Sequence, residues 1–299
     1  MKIKVLNSLV TASILACCTV LFGDKSEAGD FKSPDILVLG DSQISFGAGP
    51  ALVDFLGDLE GHCKPNRRQK TLLKKLGQSE VGVIGVRSTS LHSWTARGGA
   101  AKGSICDVDP KWKVNAGSYG VVNKTKNQFV QIGQGRNYQF CAAGKSPFET
   151  MFNPSYYDPK LLILTFLGNA TKRWQTQPEL AARDVRLTTQ QLPKGMPCVF
   201  MTTAPAYRPD ISAQRFEAQQ NLRTAMARQG NRCVFVDGLT PETMAANHGN
   251  KKFFRLRKSG TVKDPYHPNE RGARHHLKLV GSELCEAIFT ALEGKRPRS

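Results

Sequence analysis

The chain of 299 residues is 40% hydrophobic and 22% charged, which is long and apolar enough for one large domain with a sizeable core. Its formal net charge of +18 favours an anionic partner. In an exported protein that partner is an acidic polysaccharide, peptidoglycan or an anionic lipid surface rather than nucleic acid. Beyond the N-terminal stretch no segment could cross a bilayer, so we expect the mature chain to have no integral membrane segment.

Residues 1–28 are typical of a secretory signal peptide. They begin with two lysines, continue as an apolar stretch from about residue 9 to 22, and end with a small-x-small cleavage site at 26–28. A membrane anchor is one alternative, although the apolar stretch is short and its exit is polar. Lipidation at Cys17 is another alternative. We expect the mature chain, residues 29–299, to be periplasmic or secreted.

Six cysteines remain after the signal peptide, and an even number in an exported protein suggests disulfides. Cys198 and Cys233 each begin a predicted strand, so adjacent strands could join them. Cys106 and Cys141 enclose one irregular segment and could close it. The remaining two are Cys63 and Cys285. The connectivity stays open, and a small buried apolar side chain is the alternative for each cysteine.

Five short, continuous apolar runs predict strands that are buried on both faces, at 36–39, 81–86, 161–166, 198–202 and 233–236. Amphipathic helices are predicted between and after them, near 50–59, 67–76, 178–191, 212–228 and 270–292. Such alternation implies right-handed crossovers and a parallel sheet. The predicted fold is a three-layer α/β/α sandwich with a mostly parallel five-stranded sheet.

The segment from about residue 96 to 158 interrupts this alternation. It has little helical periodicity, and the pieces 127–132 and 138–140 alternate as hairpin strands do. It is too long for a bare crossover loop. We predict a β-rich insertion over the carboxyl edge of the sheet, with a disordered linker as the alternative.

Ser42 follows the first predicted strand within Gly40-Asp41-Ser42, and a helical segment comes next. A serine at a strand-to-helix turn projects beyond the carboxyl edge of a sheet, near free backbone N–H groups that favour negative charge. A nucleophile occupies this place in α/β hydrolases. Three turn residues alone do not establish one, because they are common after strands.

Asp264 precedes His267 by three residues in a loop with two prolines, just before the last predicted helix. An aspartate at this spacing can bond the imidazole Nδ1–H, which leaves Nε2 free to accept a proton from a serine. The alternative is a loop histidine that its neighbours satisfy. Asn169 follows Gly168 after the third strand, where its amide could stabilise an oxyanion.

These blocks resemble the SGNH hydrolases, also called GDSL-type esterases. The match is carried by Gly40-Asp41-Ser42, the turn from Gly85 to Ser88, Gly168-Asn169, and Asp264 with His267. The resemblance implies a flavodoxin-like fold in which Ser42 is the nucleophile, His267 the general base and Asp264 its orienting partner. It implies an oxyanion hole from the Ser42 N–H, the Asn169 amide and an N–H of the second block. That block usually reads Gly-x-x-Gly, so Gly85 and Ser88 are both candidates here.

This resemblance predicts a serine esterase that needs no cofactor and no metal. With export and positive charge, it suggests removal of small acyl groups, O-acetyl above all, from an envelope or extracellular polysaccharide. Aromatic residues in and near the insertion could stack on sugar rings or belong to the core: Trp94, Trp112, Tyr119, Tyr138, Tyr156 and Tyr157. An O-acetyltransferase and a catalytically silent glycan-binding protein are the alternatives.

Overall fold

The structure, a computed structural model, describes residues 33–77, 80–97, 144–152 and 157–294, together with the backbone of two short strands at 118–123 and 130–131. The predicted signal peptide, Cys17, Cys106 and Cys141 lie outside the described residues, as do Trp112, Tyr138 and Tyr156. The predicted extent of the insertion and of the mature chain therefore stays a prediction.

Five of the seven described strands lie where the apolar runs predict them, and β3 at 118–123 corresponds to no predicted strand. In chain order they are β1 (Ile36–Gly40), β2 (Glu80–Gly85), β3 (Ser118–Asn123), β4 (Val130–Gln131), β5 (Leu161–Thr165), β6 (Cys198–Met201) and β7 (Val234–Val236). Every residue of β1, β5 and β6 is buried, as expected for strands that helices cover on both faces.

Ten α-helices are described. They are α1 (Gly49–Gly57), α2 (Leu59–Cys63), α3 (Arg67–Leu76), α4 (Leu91–Thr95), α5 (Pro147–Met151), α6 (Thr171–Thr176), α7 (Pro178–Gln191), α8 (Pro209–Arg228), α9 (Pro241–Asn247) and α10 (Glu270–Leu292). The five long helical patterns of the sequence correspond to α1, α3, α7, α8 and α10. The short helices α4, α5, α6 and α9 are too brief for a periodic pattern to predict. A π-helical stretch, Ile44–Ala48, leads directly into α1.

The sheet has the order β4-β3-β2-β1-β5-β6-β7. The five predicted strands are parallel to one another, which confirms the α/β fold. β3 and β4 are antiparallel and extend the sheet beyond β2. This corrects one expectation: the described strands of the predicted insertion lie beside β2, in the sheet itself, rather than over its carboxyl edge.

Helices cover both faces of the parallel strands. One core cluster joins α1, α2, α3 and α10 to alternate residues of the strands, such as Ile36 and Val38 of β1. On the other side α4, α6, α7 and α8 pack against one another, around the fully buried Trp94 and Trp174. The strand order reverses at β1: β2 lies beside it on one side, and the next parallel strand, β5, lies beside it on the other. Ligands of open α/β sheets bind at such a switch point, beyond the carboxyl ends of the strands.

Two disulfides are described. Cys198 and Cys233 are joined across β6 and the start of β7, as the sequence indicates. The second links Cys63, at the end of α2, to Cys285 in α10. Disulfides persist in oxidising compartments, which agrees with export. No helix within the described ranges is both long and apolar enough to cross a membrane.

Candidate active site

The carboxyl ends of β1, β2 and β5 meet at one edge of the sheet, and three of the four predicted blocks each follow one of them. Gly40 pairs with Gly85 of β2 and with Thr165 of β5 at the last register position. Ser42 therefore begins its helical turn between the segments that carry Ser88 and Asn169. The parallel register is what brings three distant blocks to one place.

Ser42, His267 and Asp264 form one hydrogen-bonded chain. Ser42 Oγ lies 2.8 Å from His267 Nε2. On the other side of the ring, His267 Nδ1 lies 2.9 Å from Asp264 Oδ2 and 3.1 Å from Oδ1. The Ser42 side chain is nearly buried, with 8% of the residue exposed. A hydroxyl, an imidazole and a carboxylate in this order can pass the hydroxyl proton to Nε2 while the carboxylate holds Nδ1–H.

Asp264 is fixed by more than the imidazole. Its Oδ1 accepts the backbone N–H groups of Tyr266 and His267, and its Oδ2 accepts from Arg255 Nη2 at 2.6 Å. Burial alone would raise the pKa of Asp264, but the hydrogen bonds from His267 and Arg255 outweigh it and hold the pKa well below its ordinary value. The Asp264 carboxylate is thus ionised at neutral pH.

Two buried side chains hold the loop that carries His267. Gln43 Nε2 donates to the carbonyl oxygen of Tyr266 at 2.8 Å, and Arg215 Nη1 donates to the same oxygen at 3.2 Å. Gln43 is 4% exposed and Arg215 is 3% exposed. Gln43 directly follows the serine, so one strand-to-helix turn carries the hydroxyl and also locates the histidine. Sequence reasoning missed both residues, because a buried Gln and a buried Arg show no pattern.

The π-helical stretch packs directly on the histidine loop. A Cβ on Gly47 would lie 2.5 Å from the Pro268 carbonyl oxygen and 2.8 Å from the Asn269 carbonyl carbon, so only glycine permits this approach. Next to it, the Phe46 ring lies 4.5 Å, between centroids, from the His267 ring. π-helical turns within α-helices are frequent at functional sites, where they shift side chains relative to a regular helix.

Asn169 lies in a 3₁₀ turn, Gly168–Ala170, directly after β5. Its Nδ2 donates to the Thr89 carbonyl oxygen at 2.8 Å. An amide NH₂ group has two hydrogens, so this bond orients the group and leaves one hydrogen for a ligand. The Asp41 carboxylate ties the turn to the serine, because it accepts from the N–H groups of both Gln43 and Gly168.

Ser88 and Gly85 differ in a way that separates their roles. Ser88 is exposed and has φ = 62°, the left-handed conformation that glycine adopts most readily. No hydrogen bond to its backbone N–H is found among the described residues. Gly85 is buried, and a Cβ there would lie 2.6 Å from the Ile44 Cβ, so its glycine is needed for packing. Ser88 is therefore exposed with a backbone conformation that glycine favours, whereas Gly85 is required for packing.

Those aromatic residues named from the sequence whose side chains the structure describes do not line this site. Trp94 is 0% exposed and Tyr157 is 3% exposed, so both belong to the core. Tyr119 lies in β3, where only the backbone is described. The aromatics beside His267 are instead Phe46 and Tyr266, and Tyr266 is 48% exposed. Within the part of the chain that the structure describes, no group of three His, Cys, Asp or Glu side chains could hold a metal ion.

No protein-family model matches the chain, and no curated protein matches it in sequence. Several solved structures do resemble the chain. The chain is similar to a presumed SGNH hydrolase from Slackia heliotrinireducens, with 15% identity and a TM-score of 0.41 over 86% of this chain and 100% of that one.

Two further solved structures have the same degree of likeness. One is a catalytic mutant of Axe2, an acetylxylan esterase from Geobacillus stearothermophilus, with 13% identity and a TM-score of 0.41 over 90% of this chain and 99% of that one. The other is a DUF4886 family protein from Bacteroides uniformis, with 13% identity and a TM-score of 0.41 over 90% and 87%.

Proposed function

We propose that the chain is an SGNH-type serine esterase that removes small acyl groups, O-acetyl above all, from an extracytoplasmic polysaccharide. The observation that carries the proposal is the continuous hydrogen-bonded chain from Ser42 through His267 to Asp264. A serine hydroxyl at the carboxyl edge of a sheet, hydrogen-bonded to a histidine that a carboxylate orients, is suited to acyl transfer.

The reaction follows from these positions. Ser42 Oγ attacks the ester carbonyl carbon while His267 Nε2 accepts its proton, and Asp264 stabilises the imidazolium that forms. Nε2 then protonates the leaving sugar oxygen, and an acyl-serine remains. Water attacks this ester with His267 again as base, which releases the acid and restores the serine.

The negative oxygen of each tetrahedral intermediate needs donors that are already in place. The Ser42 N–H, the Ser88 N–H and the Asn169 Nδ2 are the proposed donors. The left-handed φ of Ser88 supports it over Gly85, and the bond to Thr89 keeps the Asn169 amide from rotating away. One such donor contributes about 3–4 kcal/mol to transition-state stabilisation.

Two features support a carbohydrate substrate. Tyr266 is half exposed, and its ring centroid lies 6.4 Å from that of His267, so a sugar ring could stack on it beside the scissile ester. The positive charge of the chain and its two disulfides suit a protein that meets acidic polymers outside the cytoplasm.

Acetate release decides the proposal. Wild type should release acetate from p-nitrophenyl acetate and from O-acetylated polysaccharides, and Ser42→Ala should lower kcat by at least a thousandfold. The matched control is Ser282→Ala, since Ser282 is an exposed serine of α10. Equal rates for wild type and Ser42→Ala would refute the enzyme, and a net gain of acetyl groups by the glycan would refute the hydrolase in favour of a transferase.

A further inference from the structure

Two arginines from distant parts of the chain approach the same aromatic ring beside His267. The guanidinium carbon of Arg87 lies 4.1 Å from the centroid of the Phe46 ring, and that of Arg255 lies 4.4 Å from it. The same ring is 4.5 Å from the His267 ring. Both cations therefore approach a ring that itself contacts the group that would activate Ser42.

The acidic groups described at the site balance only one of these cations. Arg255 is paired with Asp264, which also serves His267. Arg87 follows the end of β2 and is partly exposed, and no carboxylate pairs with it among the described residues. The Nε atoms of both arginines are buried, and neither has a hydrogen-bond partner among the described residues.

This arrangement is what an anion site requires. Two cations that approach one aromatic ring repel one another unless a negative group lies near both, and the repulsion is strongest where protein excludes water. The Phe46 ring and Asp264 fix the two guanidinium groups before a ligand arrives, so little side-chain entropy is lost on binding. A planar guanidinium matches the two oxygens of a carboxylate or a phosphate.

We propose that Arg87 and Arg255 bind an oxyanion group, carboxylate or phosphate, on the sugar that bears the acyl ester. The inference rests on the proposed function and narrows its substrate to acylated acidic glycans. Arg87 contributes a cation that no carboxylate of the described residues pairs with, while Arg255 supplies a second positive charge and positions Asp264. Preference for an acidic glycan is then a property of the site itself rather than of the chain's overall charge.

Arg87 is the residue to vary, because a change at Arg255 would also disturb Asp264. Arg87→Met removes the charge, Arg87→Lys keeps it without the planar fork, and Arg186→Met is the matched control, an exposed arginine of α7. The quantity to compare is kcat/KM on an O-acetylated polyuronate divided by kcat/KM on neutral acetylated xylan. We expect this ratio to fall at least tenfold in Arg87→Met, less in Arg87→Lys, and by less than twofold in Arg186→Met.

Binding without turnover separates this inference from the proposed function. Calorimetry on Ser42→Ala should show at least tenfold tighter binding of an oligouronate or a phosphorylated oligosaccharide than of neutral xylo-oligosaccharide, and adding Arg87→Met should abolish the difference. The tighter of the two acidic ligands identifies the source of the oxyanion. Equal binding of acidic and neutral ligands, or equal effects of Arg87→Met and Arg186→Met, would overturn the inference, whether or not Ser42 proves to be catalytic.

Discussion

Replacing Gly47 by alanine should reduce catalysis through a single methyl group. The new Cβ would lie 2.5 Å from the Pro268 carbonyl oxygen, whereas real Cβ atoms essentially never come closer than 3.0 Å, so one of the two segments must move by about 0.5 Å or more. Both atoms nearest the methyl group belong to backbone, which cannot rotate aside as a side chain can. Pro268 adjoins His267, so the displacement reaches the imidazole directly.

The expected cost follows from the tolerance of catalysis to misplacement. A shift of 1 Å in a catalytic group costs on the order of a hundredfold, so a shift about half as large should lower kcat roughly tenfold, or about 1.4 kcal/mol in barrier height. Alanine is otherwise the better helix former, by about 1 kcal/mol over glycine. A helix-propensity effect alone would therefore predict a protein that is at least as stable as wild type.

The assay is the rate of p-nitrophenyl acetate hydrolysis, measured with the thermal midpoint of each variant. Gly57→Ala is the control, because Gly57 ends α1 and a Cβ there would meet nothing within 4 Å. We expect Gly57→Ala to keep wild-type activity and Gly47→Ala to lose it while remaining folded. If both variants keep wild-type kcat, the close approach of Gly47 to Pro268 does not position His267.

Two further results are expected. Gln43→Leu should lower kcat by about fivefold with little change in KM, because it removes one net hydrogen bond of about 1 kcal/mol to the Tyr266 carbonyl and leaves the Arg215 donor in place. Steady-state kinetics measure both constants, and an unchanged kcat would show that Arg215 alone positions the loop. Burial lowers the pKa of His276 to about 4, so the folded protein favours the neutral imidazole. The contribution of His276 to the free energy of unfolding is therefore fully present above the unfolded pKa of about 6.5 and is lost as pH falls towards 4. The free energy of unfolding in urea should fall by roughly 3 kcal/mol more over this range in wild type than in His276→Gln, and equal pH dependence in the two would contradict it.

The parallel strands and the hydrogen-bonded chain of Ser42, His267 and Asp264 were predictable because each depends on a local signal that the fold preserves. A continuous apolar run of six residues, such as 161–166, is short for a helix and is typical of a strand covered on both faces. Once the strands are parallel, the residues that follow them share one edge, so Ser42 and His267 needed only their own turn and loop signals.

The rest of the site depends on contacts between segments, which no local signal encodes. Phe46 reaches His267 because a π-helical stretch follows Ser42, and the helical periodicity that locates α1 does not distinguish that stretch. Arg87 and Arg255 meet at this ring from separate loops, and basic residues elsewhere in the sequence look the same. The partnership of Cys63 with Cys285 joins residues 222 positions apart. Sequence spacing could suggest the Cys198 bond only because its strands are adjacent.

The Cys63–Cys285 bond turns most of the chain into one closed covalent ring. Ser42 lies on the arm before this ring, and His267 lies inside it, close to the closing cysteine. A single protease cut between β2 and β5 would therefore leave Ser42 and Ser88 on one fragment and Asn169, Asp264 and His267 on the other, still tethered through sulfur. A chain cut between the segments that carry the candidate site residues would thus remain one molecule until a reductant breaks the Cys63–Cys285 bond.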